Sequence, residues 1–126
     1  YAAMYKPYHL IGLELGISVA SVSLRGEPTG APDSWNSDVV AVAKKDLRAG
    51  EILDGEGGFT VWGKLSPASD SLQKDALPLG LTEGCKLKED VKKGQVIGRS
   101  SIEDSLDPIV TGLRREMAKS LEASSL

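Results

Sequence analysis

The chain has 126 residues, 40% of them hydrophobic and 5% aromatic, with a net charge of −3. That length holds one domain and part of another. The mild acidity argues against nucleic acid, whose phosphates want a basic face, and no apolar run approaches the roughly 20 residues that span a bilayer. One cysteine, Cys85, excludes an intramolecular disulfide and fits a reducing cytoplasm.

The first residues carry no basic leader and no continuous apolar centre, so no secretory signal is read there. The chain opens without methionine and in the middle of an apolar pattern. It is therefore expected to be a fragment of a longer polypeptide. Leu10, Leu13, Ile17, Ala20 and Leu24 fall at steps of three and four, which favours a helix. Leu13, Leu15, Ile17 and Val19 also alternate as a strand would. Gly12 and Gly16 weaken an early helix, Ser18 is placed to cap a shorter one, and Arg25-Gly26 reads as its end.

Residues 26–37 contain Pro28, Gly30, Pro32 and Asn36 and read as a linker, with Trp35 available to dock on a neighbouring surface. Residues 38–44 alternate and are rich in valine, as a strand is. Turns follow at residues 46–50 and 54–58, with a short strand at 51–53 between them. Residues 59–63 are aromatic and β-branched and read as a strand. Residues 66–75 are polar and read as an exposed loop or a single helical turn. Residues 77–81, 85–87 and 95–97 read as further short strands. Asp107 followed by Pro108 announces a helix. Its apolar stripe is Val110, Leu113, Met117 and Leu121, with Arg114, Arg115, Glu116 and Lys119 on the other side, and residues 123–126 fray.

Within this run one phrase occurs twice. KKDLRAGEIL at residues 44–53 returns as KEDVKKGQVI at residues 88–97, in register and 44 positions apart. Two copies of one strand-and-turn unit predict a domain with approximate internal two-fold symmetry. Asp46 and Asp90 stand in the same context in both copies, so they are read as turn residues and not as a catalytic carboxylate pair.

The repeated phrase resembles the SAF domain, named for sialic acid synthases, antifreeze-like proteins and flagellar proteins. The resemblance covers residues 38–104 and implies a β-clip, a bent β-ribbon folded back on itself. The flank Met4-Tyr5-Lys6-Pro7-Tyr8-His9-Leu10-Ile11-Gly12-Leu13-Glu14 resembles the end of a homoserine-dehydrogenase-like catalytic domain. Residues 54–63 and 77–81 also resemble bacterial NAD(P)-dependent oxidoreductases with an N-terminal Rossmann domain and a C-terminal SAF domain, some of them 1-deoxy-D-xylulose 5-phosphate reductoisomerases. The resemblance implies NAD(P) for the parent enzyme. No Gly-x-Gly-x-x-Gly fingerprint occurs in this chain, so no cofactor is assigned to it.

The expected architecture is thus mainly β: a catalytic-domain remnant and linker at residues 1–37, a β-clip at 38–104 and a C-terminal helix at 105–126. The expected partners are the Rossmann domain of the same polypeptide and further copies of the chain, with no nucleic acid and no membrane. The SAF module would aid assembly or cover the substrate site. The alternatives are a stand-alone SAF binding or assembly module and a sugar-acid dehydratase accessory domain.

Lys6, Tyr8, His9 and Glu14 form the one constellation suited to acid–base or anion-binding work. Histidine exchanges a proton near neutral pH and lysine holds an anionic substrate. The competing reading makes His9 a helix-start residue and the others surface groups. Cys85 lacks a neighbouring base and reads as core, although Lys86 could lower its pKa. One Cys and one His cannot build a zinc site of the usual kind. Asp54-Gly55-Glu56-Gly57-Gly58 lacks the Lys-Ser/Thr ending of a phosphate loop and reads as a tight turn.

Overall fold

The valine-rich stretch forms β1 (Ser37–Ala43), which pairs antiparallel with β2 (Val61–Pro67), Ala41 opposite Gly63 and Val39 opposite Leu65. The other edge of β1 is also occupied. Ala41 N–H donates to the Leu77 carbonyl at 2.8 Å, and Ile97 N–H donates to the Ala41 carbonyl at 2.9 Å. Val40, Ala41, Val42 and Ala43 are all buried instead of alternating, so both faces of β1 are covered there as well as both edges. Gly63 makes this packing possible, because a β-carbon there would meet Val39 Cγ1 at 2.6 Å and Leu79 Cδ2 at 2.7 Å.

The computed structural model describes residues 2–5, 7–8, 12, 15–30, 34–103 and 106–123. Contacts divide the chain into two units, Tyr1–Asp33 and Ser34–Leu126. The buried apolar side chains among the described residues all lie between Val40 and Ile102, so the core belongs to the second unit.

The internal repeat organises that core. Leu47 and Val91 exchange both backbone hydrogen bonds, at 2.8 and 2.9 Å. Bonds on either side recur under exchange of a residue with its counterpart in the other copy. Gly50 N–H donates to Leu87 O and Gly94 N–H to Ala43 O; Leu53 N–H donates to Cys85 O and Ile97 N–H to Ala41 O. A pseudo-dyad therefore passes between Leu47 and Val91. Leu47, Leu53, Leu87, Val91 and Ile97 from the two copies share one cluster.

The expectation of a mainly β chain holds only in part. Among the described residues, pairing beyond β1 and β2 is limited to isolated bridges, such as Leu47 with Val91 and Ile52 with Lys86. Turns interrupt the segments before a continuous ladder can form; Gly50 and Gly94 adopt φ of 85° and 84°, which favours glycine. Residues 77–81 are not a strand throughout: Leu79–Leu81 is a 3-10 turn, with Leu81 N–H donating to Pro78 O.

Of the two readings of residues 66–75, an exposed loop or a single helical turn, the structure has the helical one, slightly longer than a turn. β2 runs through Pro67, and α2 (Ala68–Gln73) follows, with Ala68 and Ser71 buried one turn apart. Two residues beyond the end of α2, Asp75 takes a φ of 44°, the one positive value among the described non-glycine residues.

In the first unit, α1 (Leu15–Ala20) continues into a π turn, Ser21–Arg25, closed by Gly26 at φ 66°. Arg25-Gly26 thus ends the helix as its residue types suggest. Ser18 is not a cap: it lies inside α1 and its hydroxyl bonds that of Thr29 at 2.9 Å. Leu10 and Leu13 lie outside the described residues.

Candidate functional site

Of the predicted constellation, Lys6, His9 and Glu14 lie outside the described residues, and Tyr8 is 58% exposed in the first unit. The second unit contains a polar arrangement that was not predicted. α3 (Pro108–Ala123) starts as its residue types require, with Asp107 Oδ1 accepting from Ile109 N–H at 2.7 Å. Its inward side chain, however, is a cation. Arg114 donates to Asp38 Oδ2 at the start of β1, and Ser71 of α2 donates to the same oxygen at 2.5 Å. The guanidinium also lies 5.0 Å from the ring centre of Trp35, in the range for a cation–π contact.

This network joins β1, α2, α3 and the incoming linker at one carboxylate. Its side chains are largely shielded: Arg114 is 15% exposed and Asp38 10%. Burial alone would push the Asp38 carboxyl up; the hydrogen bonds from Arg114 and Ser71, with the guanidinium charge, outweigh it and hold Asp38 below its ordinary value. Arg114 stands four residues after Val110 and three before Met117, so it falls on the predicted stripe and not on the other side of α3. Val110 and Met117 flank it and are 37% and 43% exposed, Leu113 is 58% exposed, and Leu121 lies outside the residues whose side chains are described. Helical periodicity identified the face but not that a cation on it would be taken up by a carboxylate. The one usable signal was Trp35 within an otherwise small and polar linker.

The predicted turn aspartates act across the dyad. Asp46 accepts from Lys93 N–H at 2.9 Å and Lys92 Nζ at 3.0 Å, while Asp90 accepts from Ala49 N–H at 2.8 Å. Each carboxylate therefore caps the other copy's turn instead of its own. Chiefly the Lys93 amide, then Lys92, hold Asp46 below its ordinary value.

The glycine-rich segment is a knot around Asp54. Its carboxylate accepts from Phe59 N–H at 2.6 Å, Thr60 N–H at 3.0 Å and the Thr60 hydroxyl. These bonds, the Thr60 hydroxyl foremost, lower its pKa to about 2. Gly58 is required, since a β-carbon there would fall 2.2 Å from Asp54 Cγ. The donors that follow the loop are turned onto its own carboxylate, whose charge opposes a phosphate.

Cys85 is buried and its Sγ–H faces the Leu81 carbonyl at 3.0 Å. Lys86 is paired with Glu103 at 2.9 Å. No group of three or more metal-ligating side chains occurs among the described residues, and no helix among them is long and apolar enough to cross a membrane.

A duplicated turn with reciprocal caps, closed by a clasped helix, is the context in which the family comparison can be placed. The family model described as the SAF domain matches residues 38–103, just over half of the chain. The chain belongs to the SAF domain family. The match spans both copies of the repeat and starts at Asp38, so the clasp residue opens the SAF domain while Arg114 lies beyond its end. No curated protein matches the chain.

Proposed function

We propose that this chain is the C-terminal part of a bacterial NAD(P)-dependent oxidoreductase of the homoserine-dehydrogenase-like or deoxyxylulose-phosphate-reductoisomerase-like kind, with its SAF module serving assembly or covering the substrate site. In this reading residues 1–37 are the edge of the catalytic domain and its linker, and Lys6, Tyr8, His9 and Glu14 adjoin the substrate site. Hydride transfer takes place on the Rossmann domain of the same polypeptide, and the enzyme is a homo-oligomer of the cytoplasm.

One observation carries the reading. Leu15, Ile17, Val19, Val22 and Leu24 follow one another through α1 and the π turn, and all are exposed, Leu24 by 84%. Leu15, Val19 and Val22 lie on one side of it and Ile17 and Leu24 on the other, so it needs elements on two sides to cover them, and the described part of the first unit buries no apolar side chain. A catalytic domain supplies such elements.

Extending the reading frame upstream tests this: a βαβ unit with a glycine fingerprint supports it, and a domain of another kind overturns it. Calorimetry on the 126-residue chain is expected to show no tight NADPH binding, because the dinucleotide site lies elsewhere; tight binding would contradict the assignment. The second reading is an SAF binding or assembly module without an oxidoreductase parent, favoured by the outward apolar face of α3. Light scattering that shows self-association, together with an unrelated upstream domain, would select it.

A further inference from the structure

The two-fold repeat fails at one place, and two cations meet there. In the first copy Lys44 N–H donates to Thr60 O, and its Nζ is satisfied by the Gly58 carbonyl at 2.5 Å. In the second copy Lys88 N–H donates to Ser101 O at 2.8 Å. The residue two positions before Ser101, in the place of Gly58, is Arg99. Lys88 and Arg99 line one cleft of about 320 Å³ with Ser100, Asp75, Ile102, Glu103 and Leu106. Neither cation has a side-chain partner among the described residues. A second cleft of about 90 Å³, which shares Asp75 and Arg99, adds Arg115.

The backbone at this cleft is held in a costly form. Asp75 lines both clefts at φ 44°, and its carbonyl accepts from Arg99 N–H at 2.8 Å. A non-glycine residue at positive φ persists only where its surroundings impose it, and such residues concentrate at binding sites. Two cations in one concavity repel each other and call for a dianion; a monoanion leaves one charge unmatched. Of the two acids that line the cleft, Glu103 is tied to Lys86. Asp75 opposes an anion and is left to accept a hydroxyl.

We propose that this cleft binds a small phosphate monoester, with Lys88 and Arg99 holding the phosphate dianion and Ser100 donating its hydroxyl. Asp75 takes a hydroxyl of the alcohol part. The proposal depends on the asymmetry of the repeat and not on the oxidoreductase reading, and the two fail separately because its test uses this chain alone.

The test is an amide-resolved NMR titration of the 126-residue chain with inorganic phosphate, glycerol 3-phosphate and acetate. Saturable shifts are expected at Lys88, Arg99 and Ser100, tighter for the monoester than for acetate and weaker with added salt. Arg99→Gln and Lys88→Gln should each weaken monoester binding about tenfold. Asp75→Asn should tighten phosphate binding, and Lys44→Gln, in the first copy, should leave it unchanged. Lys44 and Lys88 are exposed and Arg99 is half-buried outside the hydrophobic core, so these variants keep the core. Absence of saturable shifts, acetate binding as tightly as the monoester, or Lys44→Gln weakening binding as much as Lys88→Gln overturns the proposal.

Discussion

Asp54 shows how much one carboxylate can organise when a glycine makes room for it. Three donors from Phe59 and Thr60 converge on it and depress its pKa from 3.8 to about 2. The sign of the pH effect follows. A group with a depressed native pKa contributes stability above its unfolded value, and that contribution is lost as pH falls toward the native one. Asp38, Asp46 and Glu51 are shifted the same way. Thermal unfolding is therefore expected to be flat from neutral pH to about pH 5 and to weaken steadily below about pH 4. Asp54→Asn should lower the melting temperature at neutral pH and flatten the acid slope; an unchanged slope would show that the knot is not a titrating element. Gly58→Ala places a methyl group on the same carboxylate and should cost about 1–3 kcal/mol in urea unfolding.

At the scale of elements, α3 presents an unusual division. Its inward contact is the Arg114 guanidinium, flanked by the partly exposed Val110 and Met117, while Ile109 and Leu113 point away. Arg114→Ala leaves the Asp38 carboxylate shielded and without its cation, which is expected to cost about 2–4 kcal/mol. Leu113, 58% exposed, lies on the outward face, so Leu113→Gln should change stability by no more than about 0.5 kcal/mol. Chemical denaturation of both variants checks this; a larger loss from Leu113→Gln than from Arg114→Ala would invert the assigned faces. The Trp35 contact gives a direct readout. With Trp62 replaced by phenylalanine, Trp35 emission should change as acid protonates Asp38 and frees Arg114.

At the scale of the molecule, the core lies in the second unit and the first unit leaves its helix uncovered. Removal of residues 1–30 is therefore expected to shift the melting temperature of the remainder by only a few degrees, about what 1 kcal/mol produces in a domain of this size. Leu47→Ala, by contrast, removes a fully buried side chain on the pseudo-dyad and should cost about 2–5 kcal/mol. A large loss from the truncation would mean that α1 contributes to the fold of the SAF module. That would weaken the case that its apolar surface belongs to another domain.

Much of this organisation was legible in the residues themselves. The duplicated phrase announced the two-fold unit, the valine-rich stretch announced β1, Asp107 and Pro108 announced α3, and Gly26 announced the end of the first helix. All are local or repeated signals, carried by backbone preference and by spacing along the chain. The partners of Asp46 and Asp90 were not legible, because each acts on a turn more than forty residues away. Nor was the inward turn of Arg114, since periodicity groups Val110, Leu113 and Met117 without telling that a distant carboxylate will claim the cation between them. Residues 66–75 left loop and single helical turn open because the inward positions are few and small, with Ala68 and Ser71 buried and Leu72 only partly so. The placing of Lys88 beside Arg99 likewise depended on where the second copy departs from the first, which only the folded chain brings together.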